Sequence, residues 1–284
     1  MVVYLQRPRT HMKGDPVQSI ICFTSDFGSG DTWVGVCHAV IYRACPQARV
    51  VDLGHNVAPF DIRKAASVAA SGVYQLPDAI HLVVVDPGVG GGRRDLIVVT
   101  TAGVLLVGPD NGVLIPAARR GGGVKEAYSI IPEQLNFREP LATFHARDVL
   151  APAAAALACG VEPSHIGEPV DPESLVDGPF AAGRLEGGAY IAEAIDTDRF
   201  GSVRFGLSAE TIKTLSGTAT KVRLSVGHLE LIVPFGHTFS DVPEGDPITL
   251  VDSSGWFTLA VRIGSAAERY GIESGMVATI RFSD

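Results

Sequence analysis

In the stretch AIHLVVVDPGVGGGRRDLIVVTTAGVLLVGPDNG, residues 79–112, an unbroken apolar run ends on a carboxylate at Asp86, passes four glycines and reaches Arg93 and Arg94 before apolar character resumes. A run such as AIHLVVV suits a strand covered on both faces of a sheet, because a half-exposed strand would alternate apolar with polar residues. DLIVVTTAGVLLVGPDNG then reads as hairpin-like strands, with Asp110-Asn111-Gly112 as a hairpin turn signal. Upstream, SIICFTSDFG is a second buried strand ending in a polar turn, and TWVGVCHAVIYRAC is the helix after it. ARVVDLGH is a further strand, and DIRKAASVAASGVYQL has helical apolar spacing. Downstream, an alanine-rich helix over residues 151–158, with Pro152 in its first turn, closes at Gly160. This alternation predicts an α/β domain with a mainly parallel sheet over residues 19–167.

The pattern changes after that point. Residues 168–186 form a turn-rich linker without sustained periodicity. From 187 to 284 the chain is a series of short strands split by turns: AYIAEAID, SVRFGL, KVRLSV, LELIVPF, PITLVDS, WFTLAVRI and MVATIRF. Such spacing predicts a small antiparallel β-barrel or sandwich.

Bulk properties narrow the function. The 284 residues carry 46% hydrophobic and 19% charged side chains, which is a globular composition. A formal charge of -8 argues against a broad nucleic-acid surface, so no nucleic acid is expected as partner. No apolar run approaches the roughly 20 residues needed to span a bilayer, so no membrane partner is expected either. Residues 1–19 lack an apolar signal core and read as a loose extension, which favours the cytoplasm. Cys22, Cys37, Cys45 and Cys159 sit in apolar surroundings without C-x-x-C spacing, and are expected to be buried free thiols. With no H-E-x-x-H and no clustered Cys and His, no metal is expected.

Ligands of open α/β sheets bind at strand C-termini, and three predicted strand ends here carry acids. The first gives Ser25-Asp26-Phe27-Gly28 followed by Asp31, the second Asp52 with Asn56, Phe60 and Asp61, the third Asp86. Turn initiation and helix capping explain any one of them, but not the glycines beside Asp86. Those glycines do not match a phosphate loop, since neither G-x-x-x-x-G-K-[ST] nor a helix-opening G-x-G-x-x-G is present. They would let Arg93 fold back towards Asp86, as a functional pair or a plain ion pair. The other constellation is FHARD, residues 144–148, where His145 precedes a helix and is the catalytic candidate. Arg147 and Asp148 pair locally or take part in the site. His38 and His81 read as structural, His55 is ambiguous, and His11 falls in the extension.

Taken together and in order, TSDFG (24–28), VVDPGVGGGRR (84–94), VGPDNG (107–112), FHARD (144–148), DRFGS (198–202) and SSGWFTLAVRIGSAA (253–267) resemble the S-adenosyl-L-methionine hydroxide adenosyltransferases, relatives of the fluorinase and chlorinase enzymes. The resemblance covers residues 20–284. It implies a homotrimer with sites between the α/β domain of one subunit and the β domain of the next. The implied reaction is hydrolysis of S-adenosyl-L-methionine to adenosine and methionine, with no cofactor or metal. It also implies Asp86, Arg93 and His145 as the hydrolytic set, whereas halogenating relatives carry a tyrosine in place of Asp86. Asp26 would bind the ribose hydroxyls and Phe60 pack near the ribose. Asp31, with Asp198 or Asp196, would attract the methionine ammonium, and Ser253 and Ser254 its carboxylate. Phe239 would stack on adenine, and backbone at Ile263 would meet it. Ser202, Ala146 and Arg262 stand where the family usually has Asn, Gly and Asn, so the adenine contact expected at Ser202 is altered.

Overall fold

The computed structural model describes residues 20–135, 137, 140–213 and 219–283. The expected N-terminal extension and His11 lie outside the described residues. The first unit runs β1 (Ile20–Ser25), α1 (Trp33–Ala44), β2 (Arg49–Gly54), α2 (Ile62–Gln75), β3 (Ile80–Val84), β4 (Asp95–Thr100), β5 (Leu105–Pro109), α3 (Ile115–Arg120), β6 (Val124–Ile130), α4 (Ala151–Ala158) and β7 (Gly167–Val170). Its sheet has the order β2-β1-β3-β5-β4-β6-β7. The pairings β2–β1, β1–β3 and β3–β5 are parallel, whereas β5–β4, β4–β6 and β6–β7 are antiparallel. The sheet is therefore mixed. It is parallel only over the half whose strands are joined through helices, because the tight turn at residues 101–103 sends β5 back along β4.

All five residues of β3 are buried, as its unbroken apolar run requires. One core, with Ile21, Phe23, Leu82 and Ile97, lies under α1 and α4. A second, with Val83, Val85, Leu96 and Val98, lies under α2 and α3. Consecutive residues of β3 thus face opposite cores, which is why the run cannot alternate in polarity. Asp61 caps α2, its side chain accepting from the Lys64 N–H at 2.8 Å.

Asp110-Asn111-Gly112 is not a hairpin turn but the link from β5 into α3. Gly112 has φ +89°, and a Cβ there would lie 2.1 Å from the Asp177 carbonyl oxygen. The expected linker is ordered at both ends: β7 pairs with β6 in the first sheet, and β8 (Arg184–Glu186) pairs with β9 (Ala189–Thr197) in the second.

The second unit continues through β10 (Val203–Ser208), α5 (Ala209–Lys213), β11 (Lys221–Val226), β12 (Leu229–Pro234), β13 (Pro247–Val251), β14 (Trp256–Val261), α6 (Ala266–Tyr270) and β15 (Val277–Ser283). These strands form an antiparallel sheet of order β12-β11-β15-β9-β10-β14-β13, with β8 beside β9. A bridge between Phe235 and Thr249 joins the two ends, so the sheet is a nearly closed barrel around Phe205, Phe257, Val222 and Leu224. Trp256 ties the two units together. Its indole N–H donates to Ser71 Oγ at 3.2 Å, and the Arg120 guanidinium lies 3.7 Å from its ring centroid.

The cysteine expectation holds for only half the set. Cys22 and Cys37 are buried free thiols, pushed by burial up to about 11 and about 12. Cys45 and Cys159 instead form a disulfide across a Cα separation of 5.9 Å. Cys45 follows α1 and Cys159 follows α4, two helices packed side by side on one face of the sheet, and their sequence separation of 114 hid the pairing.

Candidate active site

Arg93 folds back over the glycine loop, as the sequence suggests. A Cβ on Gly88 would sit 3.6 Å from Arg93 Cγ, and one on Gly90 would lie 2.4 Å from the Ala142 carbonyl oxygen, in the segment that leads to His145. Gly90 also has φ +77°, so the loop needs glycine there for both conformation and clearance. The Arg93 Nε donates to both oxygens of Asp86 at 3.0 Å, and Nη2 donates to Asp86 Oδ2 as well. On its other side Nη1 is 2.7 Å from Asp95 Oδ1. Asp95 Oδ2 in turn lies 2.7 Å from His145 Nδ1.

The result is a chain of four side chains, Asp86–Arg93–Asp95–His145, drawn from the end of β3, the start of β4 and the helix before α4. The first three are about nine-tenths buried and His145 is more open, with a side-chain exposure of 20%. Burial opposes the charge on Arg93, but the hydrogen bonds and charges of Asp86 and Asp95 outweigh it and raise its pKa above the usual guanidinium range. With Nδ1–H donated to Asp95, the His145 Nε2 is left as a proton acceptor.

Asp95 was not among the residues singled out in the sequence. A signal was present: Arg93 and Asp95 are two residues apart where an extended strand begins, so both side chains point the same way. An acid at the head of the apolar run DLIVVT needs a partner when buried.

His145 opens the helix earlier than expected. Residues 146–150 continue it as a π-helical turn before α4, a form often found at functional positions. Arg147 and Asp148 pair with each other at 2.7 Å, Asp148 also accepting from the Leu141 N–H at 3.0 Å, so this pair is local architecture. The Ala146 methyl is buried in the core and does not crowd the site. Arg94 is likewise structural, bound to Asp110 and to Ser174 of the segment after β7.

The remaining candidates fall into two groups. Asp26 Oδ2 accepts the Phe60 N–H at 2.9 Å, which brings these two together at the C-terminal ends of β1 and β2, while Asp31 is exposed in the loop before α1. In the β domain, Asp198 Oδ1 accepts from the N–H groups of Phe200 and Ser202 at 2.8 and 2.9 Å, so it closes its own turn. Asp196 is committed to Lys64 and Arg204. The turn at 198–202 packs on the GSAA loop, where the Ala267 N–H donates to the Gly201 carbonyl at 2.9 Å. Ser202 is buried in that contact, and Arg262 reaches the Val242 carbonyl at 2.8 Å, bringing Ile263 near the turn that carries Phe239. Ser253 and Ser254 sit apart from Phe60: the Ser253 carbonyl accepts from Gln75, the last residue of α2, whereas Phe60 precedes its first turn. The 14 residues of α2 span about 21 Å, so within one chain these groups do not meet.

Among the described residues, the two non-glycine positions with positive φ are Phe60 (69°) and Ile263 (54°), one from each group and both more than two-thirds exposed. A bulky residue held in the left-handed region costs of order 1–3 kcal/mol and marks functional loops.

Residues 21–167 match the SAM hydroxide adenosyltransferase N-terminal domain, and residues 192–279 match its C-terminal domain. The chain belongs to this family. It is 40% identical to an (R)-S-adenosyl-L-methionine hydrolase of Salinispora tropica over 90% of this chain and 95% of that relative. A protein of the same name from Thermus thermophilus is 38% identical over 90% and 97%. A fluorinase of Actinoplanes is more distant, at 25% identity over 92% and 97%. Among solved structures, a Thermotoga maritima protein superposes with a TM-score of 0.83 at 33% identity, covering 92% of this chain and 99% of its own.

Proposed function

We propose that this family member hydrolyses S-adenosyl-L-methionine to adenosine and L-methionine, acting on the (R)-sulfonium form that its relatives' names specify. The observation that carries the reading is the continuous chain from Asp86 through Arg93 and Asp95 to His145. It sets a guanidinium and an imidazole with a free nitrogen on one small, poorly solvated site.

The substrate's sulfur is already a cation, so methionine leaves as a neutral thioether and no acid is needed there. Water is the difficult partner, with a pKa near 15.7. Its oxygen attacks C5′, the C5′–S bond breaks with its electron pair staying on sulfur, and one water proton passes to His145 Nε2. Arg93 stabilises the developing hydroxide, and positioning supplies much of the remaining barrier reduction. Asp86 has both oxygens occupied by Arg93 and acts by orientation, which favours His145 as the proton acceptor. Charge is cancelled as hydroxide meets sulfonium, so a dry pocket helps the reaction.

Asp26 and Phe60 hold the ribose in this reading, and Asp31 draws the ammonium group. Asp198, Ser202, Phe239, Ser253, Ser254 and Ile263 of a second copy supply the adenine and carboxylate side. The length of α2 between Phe60 and Ser253 supports a site shared between subunits, and the family resemblance makes the assembly a homotrimer. No helix of the described residues is long and apolar enough to cross a membrane. We place the enzyme in the cytoplasm on its two buried free thiols, with the Cys45–Cys159 pair as the counter-observation.

The test is incubation with substrate in ¹⁸O-labelled water without metal or halide. Labelled adenosine 5′-hydroxyl with equimolar methionine is the expected result. Tight adenosine binding without turnover, or 5′-chloroadenosine formed in a parallel incubation with added chloride, would overturn it.

A further inference from the structure

Outside the hydrolytic chain, three further side chains converge where β2 ends beside α1. His38, on α1, puts Nε2 2.8 Å from Asp52 Oδ1. His55, just after β2, puts its own Nε2 2.9 Å from the same oxygen, and the three donor atoms all lie within 4.8 Å of one another. The His55 contact is not an ordinary hydrogen bond: its Nε2 is sealed from solvent yet has no hydrogen-bond partner, so the ring is not aimed at the oxygen it touches. Its other nitrogen, Nδ1, is 2.7 Å from Ser25 Oγ. When Nδ1–H donates to Ser25, Nε2 presents a bare lone pair to a carboxylate, a repulsion that a cation between them relieves. An outer partner of this kind is also what orients a metal-ligating imidazole.

We propose that His38, Asp52 and His55 bind one divalent cation of the zinc class, with the fourth coordination position open to solvent. Two imidazole nitrogens and one carboxylate oxygen suit that class better than magnesium or calcium, which prefer all-oxygen shells. Ligands about 2.0–2.1 Å from a tetrahedral ion sit roughly 3.3 Å apart. The two contacts to Asp52 therefore open by about half an ångström on loading while the two imidazoles, now within 4.8 Å of each other, settle to the same spacing, and the 41% exposure of Asp52 leaves both room and an entry path. These ligands carry no recognisable spacing in the sequence, which is why no metal is expected from it; the α1–β2 packing brings His38 to the other two. The ion would join α1, β2 and the end of β1, one residue before Asp26. The site stands independently of the hydrolase reading.

The full chain, stripped of metal with a chelator, is titrated with Co²⁺ and then Zn²⁺. One Co²⁺ per chain with the visible absorption of a four-coordinate ion is expected, displaced by Zn²⁺. His38→Ala and His55→Ala should each weaken Zn²⁺ binding more than tenfold and Ser25→Ala by about tenfold, whereas His228→Ala in the exposed turn after β11 leaves it unchanged. Absence of saturable binding, or a six-coordinate spectrum that survives His38→Ala, would overturn the proposal and leave a hydrogen-bonded cluster only. The wild-type spectrum alone gives one of these answers, so a variant that misfolds does not shield the idea.

Discussion

Asp95→Asn probes the reaction through a side chain that touches no substrate in the proposed mechanism. The carboxylate faces two partners at once, an ion pair to Arg93 Nη1 and a hydrogen bond from His145 Nδ1, each at 2.7 Å. Asparagine has the same shape but one carbonyl oxygen. If that oxygen takes the Arg93 N–H, the amide NH₂ faces His145 Nδ1 and drives the ring proton onto Nε2, where it blocks proton acceptance. If it takes His145, the NH₂ meets a guanidinium and two donors collide. Each charge-assisted hydrogen bond lost is worth about 1.5–3 kcal/mol, or roughly 10–100-fold in rate at 1.36 kcal/mol per decade. With both affected, kcat should fall by about 10²–10⁴. KM should move by much less, because the substrate contacts are elsewhere. The assay is steady-state methionine release across pH, paired with a thermal melt to establish folding and ¹⁵N NMR of the imidazole to read the tautomer. A folded Asp95→Asn enzyme with kcat within threefold of wild type would refute the argument, and the tautomer tells which of the two partners the amide oxygen has kept.

Asp86→Ala and His145→Ala should each lower kcat by at least about 10²-fold, with substrate affinity by calorimetry changed far less. Equal losses in both would mean that they only shape the pocket. Stability should also fall in acid through His81, which is 1% exposed, bonds through Nε2 to the Leu76 carbonyl, and is held by burial at a pKa of about 4. The unfolded chain takes up this proton near pH 6.5 and the folded one only near 4, so stability is lost as pH falls through that window. The loss reaches about 3 kcal/mol at the lower end. Denaturant melts at pH 7 and 4.5 check it, and a His81→Gln variant with the same acid slope would assign the loss elsewhere.

The helices and strands of both units were legible because their periods are local properties of the chain. The unbroken run before Asp86 announced a strand buried on both faces, and the acid–glycine–arginine order announced that Arg93 would turn back. What the chain order could not carry was distance. Nothing near Cys45 points to Cys159, and nothing near His38 points to Asp52, because helix packing alone brings them together. Asp110-Asn111-Gly112 misled for the opposite reason: its local turn chemistry is real, but the Asp177 carbonyl and α3 determine what the turn connects. Asp95 was overlooked although its two-residue spacing from Arg93 was visible, since one acid heading an apolar strand looks like an ordinary turn residue.

The Cys45–Cys159 bond has a topological effect beyond its own neighbourhood. It closes a covalent ring that contains Asp86, Arg93, Asp95 and His145, with α1 leading into one cysteine and the His145 helix running into the other. Fraying of either terminus, or detachment of the entire barrel, leaves all four groups inside that hoop and tethered to one another. With the sulfur link cut, the His145 helix is held to α1 and the sheet by packing alone, and unfolding of the chain would no longer leave the four groups on one closed loop.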